Sequence, residues 1–190
     1  MVDPRVARSR ARVLAATLEL IAERGVAGVT IEAVALRCGV ARTTVYRHWP
    51  DPPALVRDAF AATLAPPPVP DTGSLRGDLL ALVDGLGRAL AEGTAARLMT
   101  ALIDAAQRDE GFAALHRAEA EARHRSVLEV LERGVRRGEL DPGADLPALV
   151  DLLAGPVFYR WSTTGRAPDD AFVRLVVDSA LREAGAGGSD

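Results

Sequence analysis

Apolar residues recur at three- and four-residue spacing along nearly the whole chain and rarely alternate, which is the signature of helices. In the first stretch Val13, Leu14, Leu20 and Ile21 stand at i, i+1, i+7 and i+8 on one stripe. That spacing predicts a helix from about Pro4 to Arg24, stopped by Gly25. Thr30 has the chemistry of an N-cap, and Ile31, Val34 and Ala35 follow it as the buried face of a short second helix ending at Gly39. The Gly39-Val40 turn leads into a third helix over roughly Arg42 to His48. Asp51-Pro52-Pro53 opens a fourth that runs to about Leu64, since a proline at the first helical position removes no intrahelical bond.

Pro66, Pro67, Pro68 and Pro70, followed by Asp71, Thr72, Gly73 and Ser74, interrupt the pattern, because clustered prolines cannot continue a helix. This boundary divides the chain into residues 1–65 and 74–184. Five longer helices are predicted beyond it, at about Ser74 to Glu92, Thr94 to Arg108, Glu110 to Arg137, Asp145 to Thr163 and Pro168 to Ala184, with Ser74 and Thr94 as caps. The terminal Gly185-Ala186-Gly187-Gly188 is expected to fray. The last two helices have wide apolar arcs. In the final one Phe172, Leu175, Val176 and Ser179 take one face, Val173, Val177 and Leu181 spread beyond it, and Arg174, Asp178 and Arg182 share a narrow polar strip. An arc that broad has two surfaces to satisfy, and a second copy of the chain can supply one of them.

Composition fits this picture: 190 residues, 48% hydrophobic but only 4% aromatic, rich in Ala, Leu, Arg and Glu, point to an all-α protein large enough to bury a core. A single cysteine excludes a disulfide framework and a cysteine-based zinc site. No apolar run approaches the roughly 18 residues a membrane span needs, and the Arg-rich start lacks the apolar stretch of a signal peptide, so a cytoplasmic protein is expected. The net charge of −3 hides an asymmetry, with nine Arg against six acids in residues 1–60 and fourteen Arg against twenty acids in the rest. A basic head on an acidic body suits a nucleic-acid reader with a different kind of partner domain. All the basic residues are arginine, a bias to which genome composition contributes.

A short helix, a glycine turn and a second short helix that begins with hydrogen-bonding residues form the layout of a helix-turn-helix. Such a helix must expose donors to the major groove while its other side anchors it. Val40, Val45 and Trp49 can anchor it, leaving Arg42, Thr43, Thr44 and Arg47 outward. Arg can bond bidentately to guanine, and Thr can donate to phosphate or set its methyl against thymine. Trp49 and Cys38 read as core residues, and Tyr46 reads as a contact to DNA.

Residues 13 to 56 resemble the DNA-binding domain of the TetR family of one-component transcriptional regulators. The matching features are Ala16, Gly25, Thr30, Gly39-Val40 and Thr44-Val45-Tyr46-Arg47-His48-Trp49, with Thr17 where the family more often has a second Ala. The resemblance implies a three-helix, homeodomain-like head and a C-terminal antiparallel helical bundle that dimerises and binds a small effector. It implies that Arg42, Thr43 and Thr44 read bases and that Thr30, Tyr46 and His48 contact phosphates. Arg5, Arg8, Arg10 and Arg12 precede or begin the first helix and are expected to track the DNA backbone as a basic arm. Where the family usually has a phosphate-binding Lys at the start of the fourth helix, this chain has Asp51-Pro52-Pro53, which weakens the clamp there, so that either the arm compensates or operator affinity is modest.

In the body, His116 and His124 are eight residues apart, about 12 Å along a helix, too far to share a metal ion, and the dense charge around them reads as a solvated face. Asp104 falls opposite Met99, Leu102, Ile103 and Ala106, on an exposed ion-pair face. No metal or cofactor is expected. An effector pocket, largely apolar, is expected among Leu82, Leu86, Met99, Leu102, Ile103, Phe112, Leu115, Phe158 and Trp161. The dimer interface is expected at Leu152, Leu153, Gly155, Pro156, Phe172, Val173, Val176 and Val177. No paired nucleophile and base, metal cluster or phosphate-cradling loop appears, so an enzyme is disfavoured. The leading expectation is a repressor released from double-stranded operator DNA by a small molecule. The alternative is a helical dimerising adaptor that has lost DNA binding.

Overall fold

The computed structural model describes residues 4–63, 68–91 and 93–185, among which the regular elements are helices. In chain order they are α1 (Pro4–Arg24), α2 (Ile31–Cys38), α3 (Arg42–His48), α4 (Pro52–Thr63), α5 (Leu75–Ala91), α6 (Gly93–Ala106), α7 (Glu110–Arg136), α8 (Leu146–Thr164) and α9 (Asp170–Glu183), with one 3-10 turn at Val26–Gly28. Pro66 and Pro67 of the expected boundary, Leu64 and Glu92 of the expected helix ends, residues 186–190 and the side chain of Arg5 lie outside the described residues.

Local chemistry explains most of the boundaries. Gly25 and Gly39 have positive φ, 72° and 67°, which ordinary side chains rarely adopt, so the chain turns out of α1 and α2 there. Thr30 caps α2 by accepting from Ala33 N at 3.1 Å. Asp145 and Asp169 cap α8 and α9 in the same way, and Ser74 Oγ accepts from Gly77 N in the first turn of α5. Thr94 does not begin its helix; α6 starts one residue earlier, at Gly93. Pro156 falls inside α8, which continues past it to Thr164.

The chain forms two compact units that divide it differently from the proline-rich boundary. The first comprises Met1–Ala65 and Thr94–Glu119, the second Pro66–Gly93 and Ala120–Asp190. In the first unit α1 lies across α2 and α4, and α2 across α3. The α1 stripe of Val13, Leu14, Leu20 and Ile21 is buried there, as are Val45, Phe60, Leu102 and Phe112. Thr17 is fully buried among them, and its hydroxyl donates to the Val13 carbonyl at 2.8 Å, which lets a polar side chain occupy a core position. Leu102, Ala105 and Phe112 thus complete the core of the head, not that of the body.

In the second unit α5 packs on α8 and α9, and α8 on α9. Gly134 of α7 passes so close to Leu75 that an added Cβ would lie 2.7 Å from its Cδ2, so a larger residue there requires the Leu75 side chain to shift. Asp78, one turn further along α5, is fully buried. Its carboxylate accepts from Thr72 N at 2.6 Å, from Thr72 Oγ1 at 2.7 Å and from Arg133 at 2.7 Å. Arg133 also donates to the Pro70 carbonyl, so one ion pair fastens residues 70–72 to α5 and α7.

Candidate DNA-binding surface

Helix α3 is only seven residues long, so its orientation depends on what its inner side touches. Val45 and Trp49 are buried, and Val40 is half-buried against the same core. With that side anchored, Arg42, Thr43, Tyr46, Arg47 and His48 are exposed, Tyr46 at 47%, and Thr44 is half-buried. An exposed tyrosine of that degree beside arginine and threonine has a polar tip and a flat apolar ring to offer a partner. His48 meets Trp49 edge to face, with ring centroids 5.7 Å apart.

Two helix N-termini flank this row and differ in what they can offer an anion. At α2, Thr30 is exposed, Ala33 N bonds to its side chain and Val34 N to its carbonyl, leaving the amides of Ile31 and Glu32 without an intrahelical acceptor. At α4, Pro52 and Pro53 have no amide hydrogen. Ala54 N is taken by Asp51 Oδ1 at 2.7 Å and Leu55 N by the Asp51 carbonyl at 3.3 Å. The first turn of α4 therefore has no backbone donor left for a phosphate, and the residue that caps it is itself an anion.

The arginines expected to form an arm are placed differently. The chain is helical from Pro4, so Arg8, Arg10 and Arg12 project from α1 and do not lie on an extended segment. Arg10 pairs with Asp58 at 2.6 Å, and Arg12 donates to the Cys38 carbonyl at the end of α2. Arg8 is exposed on the same helix. Arg37, close by, bridges Glu19 and Glu23, and its hydrogen bond and charge hold the Glu23 carboxyl below its usual range.

Two carboxylates next to α3 had no signal in the sequence pattern. Glu32, on α2, lies 3.5 Å from the Tyr46 hydroxyl and 3.9 Å from the Arg42 guanidinium. Asp58, on α4, takes the indole N–H of Trp49 at 2.8 Å. Each joins residues nine or more apart on different helices, and only the helix-turn-helix geometry brings them together.

Two comparisons of the sequence bear on this geometry. Residues 13–59 match the model of bacterial regulatory proteins of the tetR family, and residues 69–180 match the model of the tetracyclin repressor-like C-terminal domain. The chain belongs to the TetR family. The HTH-type transcriptional regulator YdeS of Bacillus subtilis is 34% identical over 183 residues, covering 94% of this chain and 91% of its own. The DNA-binding transcriptional repressor TetR of Mycobacteroides abscessus is 32% identical, covering 93% of this chain and 95% of its own. Among solved structures the TetR family transcription regulator SCO0332 is 37% identical and superposes with a TM-score of 0.68 over 92% of this chain and 97% of that one. As a TetR-family member the chain is a DNA-binding transcriptional regulator and not an enzyme.

The TetR body is where the sequence expectations divide. Of the pocket residues, Met99, Leu102, Ile103, Phe112 and Leu115 fall in the first unit and Leu82, Leu86, Phe158 and Trp161 in the second. Leu102 and Phe112 are buried in the core packing of the first unit. Leu82, Leu86, Phe158 and Trp161 are half-buried at the edge of the second core. An open depression in that unit is lined by Leu80, Ala81, Asp84, Asp170, Val173 and Arg174, none of them among the residues expected to line a pocket.

The residues expected at the interface differ in exposure. Leu153, Val173, Val176 and Val177 are buried within their own unit. What remains outward on α8 is a stripe of Leu152, Gly155, Pro156 and Tyr159, with Leu152 45% and Tyr159 63% exposed. On α9 Leu175 is 58% exposed and Phe172 half-buried, its ring covered by the Arg160 guanidinium at 4.2 Å. On α6, in the first unit, Asp104 is exposed and paired with Arg108, and no group of three side chains able to hold a metal occurs among the described residues. Among these residues no helix is long and apolar enough to cross a membrane.

Proposed function

We propose that this TetR-family regulator is a homodimeric repressor acting in the cytoplasm, which holds an operator in its two heads and releases it when a small, largely apolar effector binds the body. The observation that carries the reading is the two-sidedness of α3: Val45 and Trp49 are spent on the core, and Arg42, Thr43, Tyr46, Arg47 and His48 face outward together. Arg42, Thr43 and Thr44 are assigned to base edges, and Thr30, Tyr46 and His48 to phosphates, Thr30 beside the two unpaired amides of α2. Dimerisation is supported by the exposed apolar stripe of Leu152, Pro156 and Tyr159 with Leu175, which a monomer would leave in water. Repression is supported by the repressor named among its relatives. The functional division at 1–65 and 74–184 follows from this reading: the head reads, the body pairs and senses.

One observation favours the adaptor alternative, namely the absence of a donor at the start of α4 and the carboxylate of Asp51 in its place. The two readings separate in a titration of the purified protein against fluorescent duplexes tiling the DNA that flanks its own gene. A repressor selects one tile over a scrambled duplex and loses affinity linearly in log salt, with a slope of about −0.9 for each phosphate neutralised. An adaptor gives equal, weak binding to every duplex.

A further inference from the structure

One carboxylate oxygen in the first unit receives donors from two other helices. Asp58 Oδ2, on α4, accepts from Arg10 Nη2 of α1 at 2.6 Å and from Trp49 Nε1 at 2.8 Å. Trp49 is the residue that ends α3; it is 4% exposed, and a buried indole N–H needs an acceptor. The contact therefore sets the end of the recognition helix against α1 and α4 at a single atom, with both bonds strengthened by charge. A helix of seven residues is about 10 Å long, so a tilt of roughly 10° at Trp49 displaces its first residues by about 2 Å. Base-edge hydrogen bonds do not survive a displacement of that size.

We infer that Asp58 is a positioning residue for base reading and that Arg10 acts through Asp58 and does not neutralise a phosphate. The inference rests on the proposed operator-binding function. Arg10 is committed to an intramolecular partner, so the compensation that the first-helix arginines were expected to give the weakened α4 clamp does not come from it.

The test titrates the wild type, Arg10→Ala and Asp58→Asn against the DNA tile that the wild type selects and against a scrambled duplex of equal length, from about 50 to 200 mM salt. Asparagine can still accept from Trp49 but cannot ion-pair with Arg10. Both variants are expected to bind the selected tile about tenfold more weakly, to bind the scrambled duplex within twofold of wild type, and to keep the wild-type salt slope. A slope reduced by about 0.9 in Arg10→Ala makes Arg10 a phosphate contact and overturns the inference. Unchanged selectivity overturns it too, as does an equal loss on both duplexes, which marks a loss of folded protein. Tighter binding of Asp58→Asn to the scrambled duplex also overturns it, since Asp58 is then a restraint on a DNA-binding arginine. If the wild type itself selects no tile, the proposed function fails, and the inference with it.

Discussion

The Glu32 carboxylate stands 3.5 Å from the Tyr46 hydroxyl, and the Arg42 guanidinium lies 3.9 Å from the same oxygen. An acid has thus been set into the surface that the proposed function presents to a polyanion. Exposed pairs of this kind are worth about 0.2–1 kcal/mol, enough to bias side chains but not to lock them. On the proposed function Glu32 competes with phosphate for Tyr46 and Arg42. Replacing it by glutamine removes the charge while keeping the shape.

Glu32→Gln is therefore expected to tighten binding to scrambled duplex by about 1.5- to 5-fold and to narrow the preference for the selected tile, by the free energy of one exposed pair. The salt dependence on scrambled duplex is expected to steepen by up to about 0.9 as Arg42 becomes available to a phosphate. Anisotropy titrations at several salt concentrations read both quantities. Unchanged or weaker scrambled-duplex binding removes Glu32 from this role.

A second expectation concerns acid. Burial by itself pushes the Asp78 carboxyl up, but hydrogen bonds from the Thr72 amide and hydroxyl and from Arg133, with the charge of Arg133, outweigh it and leave the group below its ordinary value. Asp71 and Asp178 are lowered by hydrogen bonds from Arg137 and Arg76. A carboxyl whose folded pKa is depressed contributes stability that is full above its unfolded value, about 3.9, and is lost as pH falls through the folded value. Urea midpoints are expected to be flat from pH 7 to about 5 and to fall below about pH 4. Asp78→Asn breaks a buried pair whose arginine is 17% exposed and is expected to cost about 3 kcal/mol at pH 7. Its deficit against wild type narrows at pH 3, where the wild-type carboxyl is itself being protonated. A deficit independent of pH would show that the charge of Asp78 is not what stabilises.

The outward apolar face of the second unit gives a third. Leu152 and Leu175 are exposed on their own unit, so Leu152→Arg with Leu175→Arg is expected to leave the helical content of the chain unchanged and to lower the thermal midpoint only by the association that is lost. Sedimentation at micromolar concentration is expected to give twice the chain mass for the wild type and the chain mass for the double variant. The variant is also expected to lose tile selectivity, because two weakly held heads no longer act together. A double variant that stays dimeric puts the interface elsewhere.

The head could be read from the sequence because its determinants are local. Thr30 announces the start of α2 and Gly39 its end, and the spacing from Val40 to Trp49 separates anchor from exposed row within ten residues. The body was harder for physical reasons. The arcs of α8 and α9 are apolar on most sides, so periodicity alone could not tell that Leu153, Val173, Val176 and Val177 turn inward while Leu152, Tyr159 and Leu175 turn outward. Nor could it tell that Leu102 and Phe112, beyond the proline-rich boundary, belong to the core of the head, since that contact joins segments some forty or more residues apart. Arg10 illustrates the same limit: its charge was visible, but its commitment to Asp58 arises only when α1 and α4 cross.

The account depends on two copies of α3 entering one duplex together, and the distance between them tests this most directly. With Leu36→Cys, 86% exposed on α2 and outside the row assigned to DNA, spin-labelled in a Cys38→Ala background, dipolar spectroscopy of the protein on its selected tile measures the separation of the two heads. The expected distance is about 34–36 Å, one turn of the double helix, broadened by the label arms. An absence of coupling between chains, or a DNA-bound separation below about 25 Å or beyond about 50 Å, contradicts two recognition helices in successive major grooves.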